Sequence, residues 1–311
     1  MLTFRYHLVT IVAVFLALAI GIVVGSTFVG PSVVESLQNQ VEDVSNTLDA
    51  RKAANDRLTT ENEQLDESLT EASPWAADSR LDGRSVLVMA DRGVSEGVID
   101  DTDRLLEQAG ATVPGTVWID PSFALTEADE QAALAEALGI EVSEAATMQR
   151  QAWRRVLQDL SSGATPDGAT AALIDAGFLS FSQLGDDGAN ELTDLADEQF
   201  QVLLVSGTES DLETSDHLAV MTDVLVNLGQ PGVLAEEYRQ QDGGPAQGDI
   251  VAVVRDDAER AAAISTVDDL GGPSGQLAAV LAEADLSRGV VGHYGYGAGA
   301  QGPMPEWPET P

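Results

Sequence analysis

The sequence predicts an α/β protein with a single N-terminal transmembrane helix, a coiled-coil stalk, and then a mostly parallel sheet with helices on both faces. Three observations predict it: a charge-free apolar run, a heptad repeat directly after it, and short apolar strands alternating with amphipathic helices. We divide the chain into an anchor over 1–30, a parallel coiled coil over 31–73, an α/β domain over 80–290 and a Gly/Pro-rich tail over 291–311.

The composition excludes several kinds of partner and chemistry. The 311 residues include 52 acidic and 15 basic side chains, which gives a formal net charge of -37. A surface this acidic repels phosphate backbones, so we predict no nucleic-acid partner. The chain has no cysteine, which excludes disulfides, thiolate metal sites and thiol nucleophiles.

The predicted anchor runs from Leu8 to Gly30 without a charge. It is long enough for a hydrocarbon core that needs about 20 helical residues, and it has no convincing small-residue cleavage site, so we predict an uncleaved anchor. Arg5 and His7 precede the run and Glu35 is the first charge after it. The positive-inside rule then predicts a plasma-membrane protein with a cytoplasmic N-terminus and an extracytoplasmic main domain.

Small residues recur every four positions along the anchor, at Ala13, Ala17, Gly21 and Gly25. Such a face lets a second membrane helix approach closely, which favours self-association. The alternative is that alanine and glycine are simply common in membrane helices.

A heptad pattern follows the anchor and predicts a parallel two-stranded coiled coil. The a and d positions are Val34, Leu37, Val41, Val44, Leu48, Arg51, Asn55, Leu58, Asn62, Leu65 and Leu69. Asn55 and Asn62 fall at a positions, where an asparagine pairs with its mate across the seam and fixes register and oligomeric state. The alternative is an amphipathic helix packed on its own domain.

After Pro74 the pattern changes to that of an α/β sheet with crossover helices. Strands are predicted at Ser85–Ala90, Gly115–Ile119, Val202–Ser206, Gly232–Ala235, Asp249–Val254 and Ala262–Val267. Helices are predicted at Gly97–Ala109, Glu127–Leu138, Glu144–Leu160, Ser215–Leu228 and Ser274–Ala284.

The loops at the carboxyl ends of these strands contain no phosphate-binding glycine loop and no G-x-S-x-G nucleophile elbow. We therefore predict that the chain is not an enzyme. The adjacent Asp268 and Asp269 could bind a hard cation, but we favour a helix cap because aspartate caps helices so often.

Copper binding without cysteine would need histidine and methionine ligands. His217 and Met221 lie four residues apart on a predicted helix, and His293 lies near the C-terminus. We take these three as the candidate metal ligands, with ordinary packing or surface roles as the alternative. The residues alone assign no cofactor, and copper is the one candidate.

Three segments together carry a family resemblance. The chain has Phe4-Arg5-Tyr6-His7-Leu8-Val9 leading into AVFLALAIGIVVGS, then Ser265-Thr266-Val267-Asp268-Asp269, and finally Gly292-His293-Tyr294-Gly295. In this order the chain resembles the actinobacterial copper transporter family MctB over essentially its whole length. The resemblance implies a role in copper homeostasis that limits cellular copper, and a location in the envelope that includes the outer envelope.

The same architecture is also similar to that of envelope proteins that act with a partner in cell separation. The alternative function is therefore a non-enzymatic scaffold that recruits another envelope protein, such as a cell-wall hydrolase. The predicted partners are a second copy of the chain, through the coiled coil and the membrane helix, and the membrane itself.

Overall fold

The computed structural model describes residues 3–28, 30–183, 200–212, 214–241 and 243–306. The chain divides into two compact units, Met1–Leu65 and Asp66–Pro311.

The first unit contains helix α1, Thr3–Phe28, and most of helix α2, Gly30–Ala77. Within the described residues, Phe4–Gly25 is the one helix long and apolar enough to cross a membrane by length and composition. Its large apolar side chains are exposed, as a lipid-facing helix requires. The apolar N-terminal helix of the predicted fold is therefore present.

The apolar heptad residues of α2 in this unit are also exposed. Each of Leu37, Val41, Val44, Leu48, Leu58 and Leu65 is more than half exposed. A helix with an exposed apolar stripe has not buried that stripe within the chain itself. The long helix is thus confirmed, whereas the coiled coil and its dimer stay predictions.

The last turns of α2 belong to the second unit and behave differently. Leu69 packs against the core of that unit, and Ser73 and Ala77, each one turn further along, are buried. This face anchors the end of α2 to the α/β unit.

A seven-stranded sheet forms the centre of the second unit, with strand order β3-β2-β1-β4-β5-β6-β7. The strands are β1 Val86–Asp91, β2 Gly115–Ile119, β3 Leu179–Gln183, β4 Gln201–Gly207, β5 Gly232–Glu237, β6 Ile264–Val267 and β7 His293–Tyr294. Only β3 runs antiparallel to its neighbour, and the other pairs are parallel. This order is that of a doubly wound sheet, whose crevices lie beyond the carboxyl ends of the strands.

Helices cover both faces of the sheet. They are α3 Glu96–Gln108, α4 Ala128–Leu138, α5 Ala145–Ser161, α6 Ala169–Asp175, α7 Thr214–Leu228, α8 Ala252–Arg255, α9 Ala258–Ala261 and α10 Pro273–Leu286. Strand β1 shows the two faces: Leu87 and Met89 join the core under α4 to α8, and Val86 and Val88 join the core under α3 and α10. Because both faces are buried there, the central strands β1 and β4 are nearly continuous apolar runs, without a polar residue at every second position.

The predicted α/β class is confirmed, and most predicted elements match. One predicted strand is wrong: the run Asp249–Val254 is not a strand, and helix α8 begins within it at Ala252. A short apolar run fits a buried strand and a buried helix equally well, so its periodicity could not decide between them.

Candidate functional site: a polar row at the carboxyl edge of the sheet

The register of the sheet brings four polar residues side by side. Ala90 pairs with Val205, Ser206 with Glu236, and Ala235 with Val267. The next residues, Asp91 and Asp268, therefore fall in line with Ser206 and Glu236 across β1, β4, β5 and β6. We call Asp91, Ser206, Glu236 and Asp268 the polar row. All four are 0% exposed, which for carboxylates requires specific partners.

Asp91, at the end of β1, holds the beginning of α7. Its Oδ1 lies 3.0 Å from Nε2 of the buried His217, and Ser210 Oγ donates to its Oδ2 at 3.3 Å. The carboxylate fixes the orientation of the imidazole ring, since it occupies one of the two ring nitrogens.

Glu236, at the end of β5, holds the segment that leads into α8. Its carboxylate accepts backbone N–H groups from Gly248 at 3.1 Å, Ile250 at 3.2 Å and Val251 at 3.3 Å. Burial, and to a lesser extent the nearby Asp268, raise the pKa of Glu236 to about 7, even though the three backbone N–H groups act in the opposite direction. These contacts hold the turn over residues 248–251 that leads into helix α8.

Asp268, just after β6, is the most fully bonded member of the polar row. Arg255 Nη1 donates to it at 2.7 Å, Gln247 Nε2 at 3.2 Å, and the backbone N–H groups of Tyr296 and Gly297 at 2.7 and 3.0 Å. With four donors on two oxygens, this carboxylate is saturated by the protein itself.

Arg255 completes the cluster from α8 and is 3% exposed. It donates to Thr266 Oγ1 at 2.8 Å, to the Tyr294 carbonyl at 2.8 Å and to the Ala298 carbonyl at 2.9 Å. Gly295 lies against this cluster at φ +120°, where an added Cβ would come within 2.1 Å of Asp268 Oδ1.

The two C-terminal motifs of the family resemblance thus form one cluster. Thr266 and Asp268 come from the first, Tyr294 and Gly295 from the second, and Arg255 joins them although neither motif contains it. The cluster docks residues 293–302 on the sheet edge, where β7 pairs with β6 and Tyr294 bridges to Gly302.

The preferred helix cap at Asp268 and Asp269 is wrong. Helix α10 begins at Pro273 after the N-cap Gly272. Asp268 binds Arg255, and Asp269 accepts from Ser274 Oγ at 2.9 Å. Three residues separate Asp269 from the first residue of the helix, so its carboxylate does not cap the first turn.

The candidate copper ligands do not come together. His217 and Met221 lie one turn apart on α7, and both are buried in the core. His293 lies on β7, separated from the end of β1 by four strand spacings, or roughly 19 Å at about 4.8 Å each. Its Nδ1 is 3.0 Å from Thr266 Oγ1, and burial, with the nearby Arg255, lowers its pKa.

No group of three or more His, Asp or Glu side chains that could hold a metal ion occurs in the described part of the chain. Copper ligation by His217, Met221 and His293 therefore stays a prediction.

The other predicted contact residues lie in the first unit. Asn55 and Asn62 are exposed on α2. Ala13, Ala17, Gly21 and Gly25 lie along α1, and an added Cβ at either glycine would meet nothing within 4 Å. Their roles in coiled-coil register and membrane-helix packing stay predictions.

The fold and the apolar helix define a class: membrane-associated proteins that carry a doubly wound α/β unit. Within that class, the model of a family described as "Copper transport outer membrane protein, MctB" matches residues 1–305, and the chain belongs to this family. The family is one of copper transporters rather than enzymes.

Curated relatives extend over almost the whole chain. The copper transporters MctB of Mycobacterium tuberculosis and Mycobacterium bovis are each 29% identical over 328 residues, which covers 96% of this chain and 98% of theirs. The copper transporter MctB of Mycobacterium leprae is 26% identical over 334 residues, with the same coverage.

Proposed function

We propose that this chain acts in copper homeostasis at the cell envelope and limits the copper content of the cell. The observation that carries the proposal is the match of the copper transport family over residues 1–305, which includes the apolar helix, the long helix and the α/β unit. Membership in this family favours copper homeostasis over recruitment of a cell-wall hydrolase.

The protein works as a non-enzymatic, anchored accessory of copper handling and not as a pore of its own. A single apolar helix is too little to line a channel unless several copies assemble. The polar row supports the same conclusion, because Asp91, Glu236 and Asp268 are occupied in holding α7, α8 and the C-terminal segment.

The N-terminus lies in the cytoplasm and the α/β unit lies outside, as Arg5 and His7 before the apolar helix favour. A single cysteine at exposed Asp175 tests this in intact cells, because the chain has none of its own. We expect labelling by a membrane-impermeant maleimide without lysis. Labelling only after lysis contradicts the topology.

Two copies associate in parallel through the exposed heptad residues of α2 and the small-residue face of α1. The support is chemical: apolar side chains such as Leu48 and Leu58 are unburied, and Asn55 and Asn62 occupy positions that select two-stranded seams.

Cell-associated copper, measured in a deletion strain and its complemented control under modest copper stress, tests the function. We expect copper to accumulate in the deletion strain and to return to the parental content on complementation. Unchanged copper in the deletion strain contradicts the role in homeostasis.

Direct copper ligation is tested in the same strain with Met221→Leu, which keeps the apolar volume and removes the sulfur. Loss of complementation supports ligation by Met221, and full complementation assigns it to core packing. Met89→Leu, which changes a buried methionine of β1 in the same core and outside the candidate set, is the matched control.

A further inference from the structure

A cleft outside the polar row has the form of a ligand site. It has a volume of 450 Å³ and lies beyond the carboxyl ends of β4 and β5, between the loop after β4 and helices α8 and α9. This is the edge at which doubly wound sheets bind ligands, and the volume is within the range of small-molecule sites, about 300 to 1,000 Å³.

The lining of the cleft combines aliphatic and polar side chains. Ile250 and Val253 supply aliphatic surface, and the loop after β4 supplies Thr208 and Ser210, whose hydroxyl groups already bond the Arg239 backbone and Asp91. A ligand that fits this lining has a short aliphatic portion and a polar head.

The charged residues of the cleft determine whether the polar head of the ligand is a cation or an anion. Arg260 is the one cation among the described lining residues, and it is already compensated by Asp223 at 2.9 Å and Asp257 at 3.7 Å. Asp249 and Asp256 remain, and both are exposed. Asp249 uses one oxygen to accept the backbone N–H of Ala246 at 2.7 Å, which leaves its second oxygen.

An anionic ligand is therefore repelled here. The two remaining carboxylates give the cleft a net negative charge, and the chain as a whole carries a formal charge of -37. A cation gains from both the local carboxylates and the long-range field.

We propose that this cleft binds a small organic cation, an ammonium or guanidinium group on a short aliphatic chain. The aliphatic chain packs on Ile250 and Val253, and the cationic head donates to Asp256 and Asp249. This chemistry belongs equally to a free amine and to a lysine-type side chain. The site is independent of the copper function proposed above.

Saturation-transfer NMR on the full chain in lipid nanodiscs tests the proposal, with empty nanodiscs as the blank. The probes share a length and differ in charge: 1,5-diaminopentane, 5-aminopentan-1-ol and 5-hydroxypentanoate. We expect saturation transfer to the two amines and none to the carboxylate, with a signal that weakens as salt screens the carboxylates. Equal transfer to all three probes, preference for the carboxylate, or no transfer to any overturns the proposal.

A matched pair of variants locates the site. Asp256→Asn removes the exposed carboxylate at the end of α8, and we expect the dissociation constant of 1,5-diaminopentane to rise about fivefold, as for an exposed ion pair. Asp175→Asn changes an exposed aspartate at the end of α6 and leaves binding unchanged. Equal affinity of the Asp256→Asn variant and the unaltered chain contradicts the assignment.

A further probe, Nα-acetyl-lysine amide, distinguishes the two sources of the cation. Stronger binding than 1,5-diaminopentane indicates a peptide-borne side chain as the ligand. Weaker binding indicates a free amine, and both results support the cationic site.

Discussion

The two units of the chain differ in which side chains they expose and which they bury. In the first unit, Met1–Leu65, apolar side chains such as Phe15 and Leu48 are exposed and find no partner surface within the unit. In the second, Asp66–Pro311, even carboxylates such as Asp91 and Asp268 are fully buried and bonded. The apolar side chains of the first unit therefore need lipid or a second helix, whereas Asp91, Glu236 and Asp268 of the second are bonded within its own fold.

The largest difference between the units should appear when an ion pair is broken in each. Asp268→Asn leaves buried Arg255 without its carboxylate, and we expect a loss of about 3 to 5 kcal/mol in the free energy of unfolding. Urea unfolding of the full chain, followed by tryptophan fluorescence, to which the buried Trp118 and Trp153 contribute, measures it. Glu61→Gln breaks the exposed pair with Arg57 on α2 and should leave the midpoint unchanged. Equal changes in the unfolding free energy for the two variants would contradict this difference between the units.

Glycine substitutions sharpen the same contrast. Gly295→Ala places a methyl group 2.1 Å from Asp268 Oδ1 at φ +120°, and we expect a loss of roughly 2 to 3 kcal/mol in the free energy of unfolding. Gly289→Ala, at φ +75° with open space, isolates the backbone cost of about 1 kcal/mol. Gly21→Ala in α1 has no neighbour and should not change the unfolding of the second unit. A Gly295→Ala midpoint equal to that of Gly289→Ala would show that the close contact is unimportant.

The buried carboxylates of the second unit also predict a dependence on pH. Glu283 on α10 is fully buried, neither of its carboxylate oxygens has a hydrogen-bond partner in the described structure, and burial raises its pKa to about 8. Between about pH 4.5 and about pH 8, the Glu283 carboxyl group keeps its proton in the folded protein and loses it in the unfolded chain. Stability from this group is therefore present at low pH and falls as the pH rises through that window.

Glu283→Gln removes this ionisation. Relative to the unaltered chain, the variant should gain at least about 1 kcal/mol in unfolding free energy between pH 5 and pH 8. The urea midpoint at the two pH values measures it, with the exposed Glu136→Gln on α4 as control. An identical pH dependence of the Glu283→Gln variant and the unaltered chain would show that Glu283 is ionised in the folded state.

Much of this fold could be predicted from periodicity. The apolar run, the heptads and the continuous strands such as β1 and β4 are local patterns, and helices α1 and α2 and strands β1 and β4 lie where these patterns predict helix or strand. Strand β3 was missed because it is an edge strand with only Leu179 buried and partly exposed or exposed residues after it. Strand β7 was missed because its two residues leave no pattern to recognise.

The polar row could not be predicted in the same way. The sequence around a carboxylate at the end of a strand looks the same whether the carboxylate lies in a solvated turn or is buried and binds another segment. What decides is a partner elsewhere in the chain: Asp268 accepts from Gly297, Asp91 pairs with His217, and Glu236 accepts the backbone N–H of Gly248. The sequence did contain one partial signal. Strands β1, β4 and β5 each carry a polar residue near the carboxyl end, namely Asp91, Ser206 and Glu236.

Cysteine crosslinking in native membranes tests most directly whether helix α2 pairs with the α2 helix of a second copy. The chain has no cysteine, so Leu48→Cys at an a position and Asn46→Cys on the opposite face of α2 form a clean pair. We expect a covalent dimer from Leu48→Cys and little from Asn46→Cys. No dimer from Leu48→Cys, or equal dimer from both positions, would contradict the parallel coiled coil.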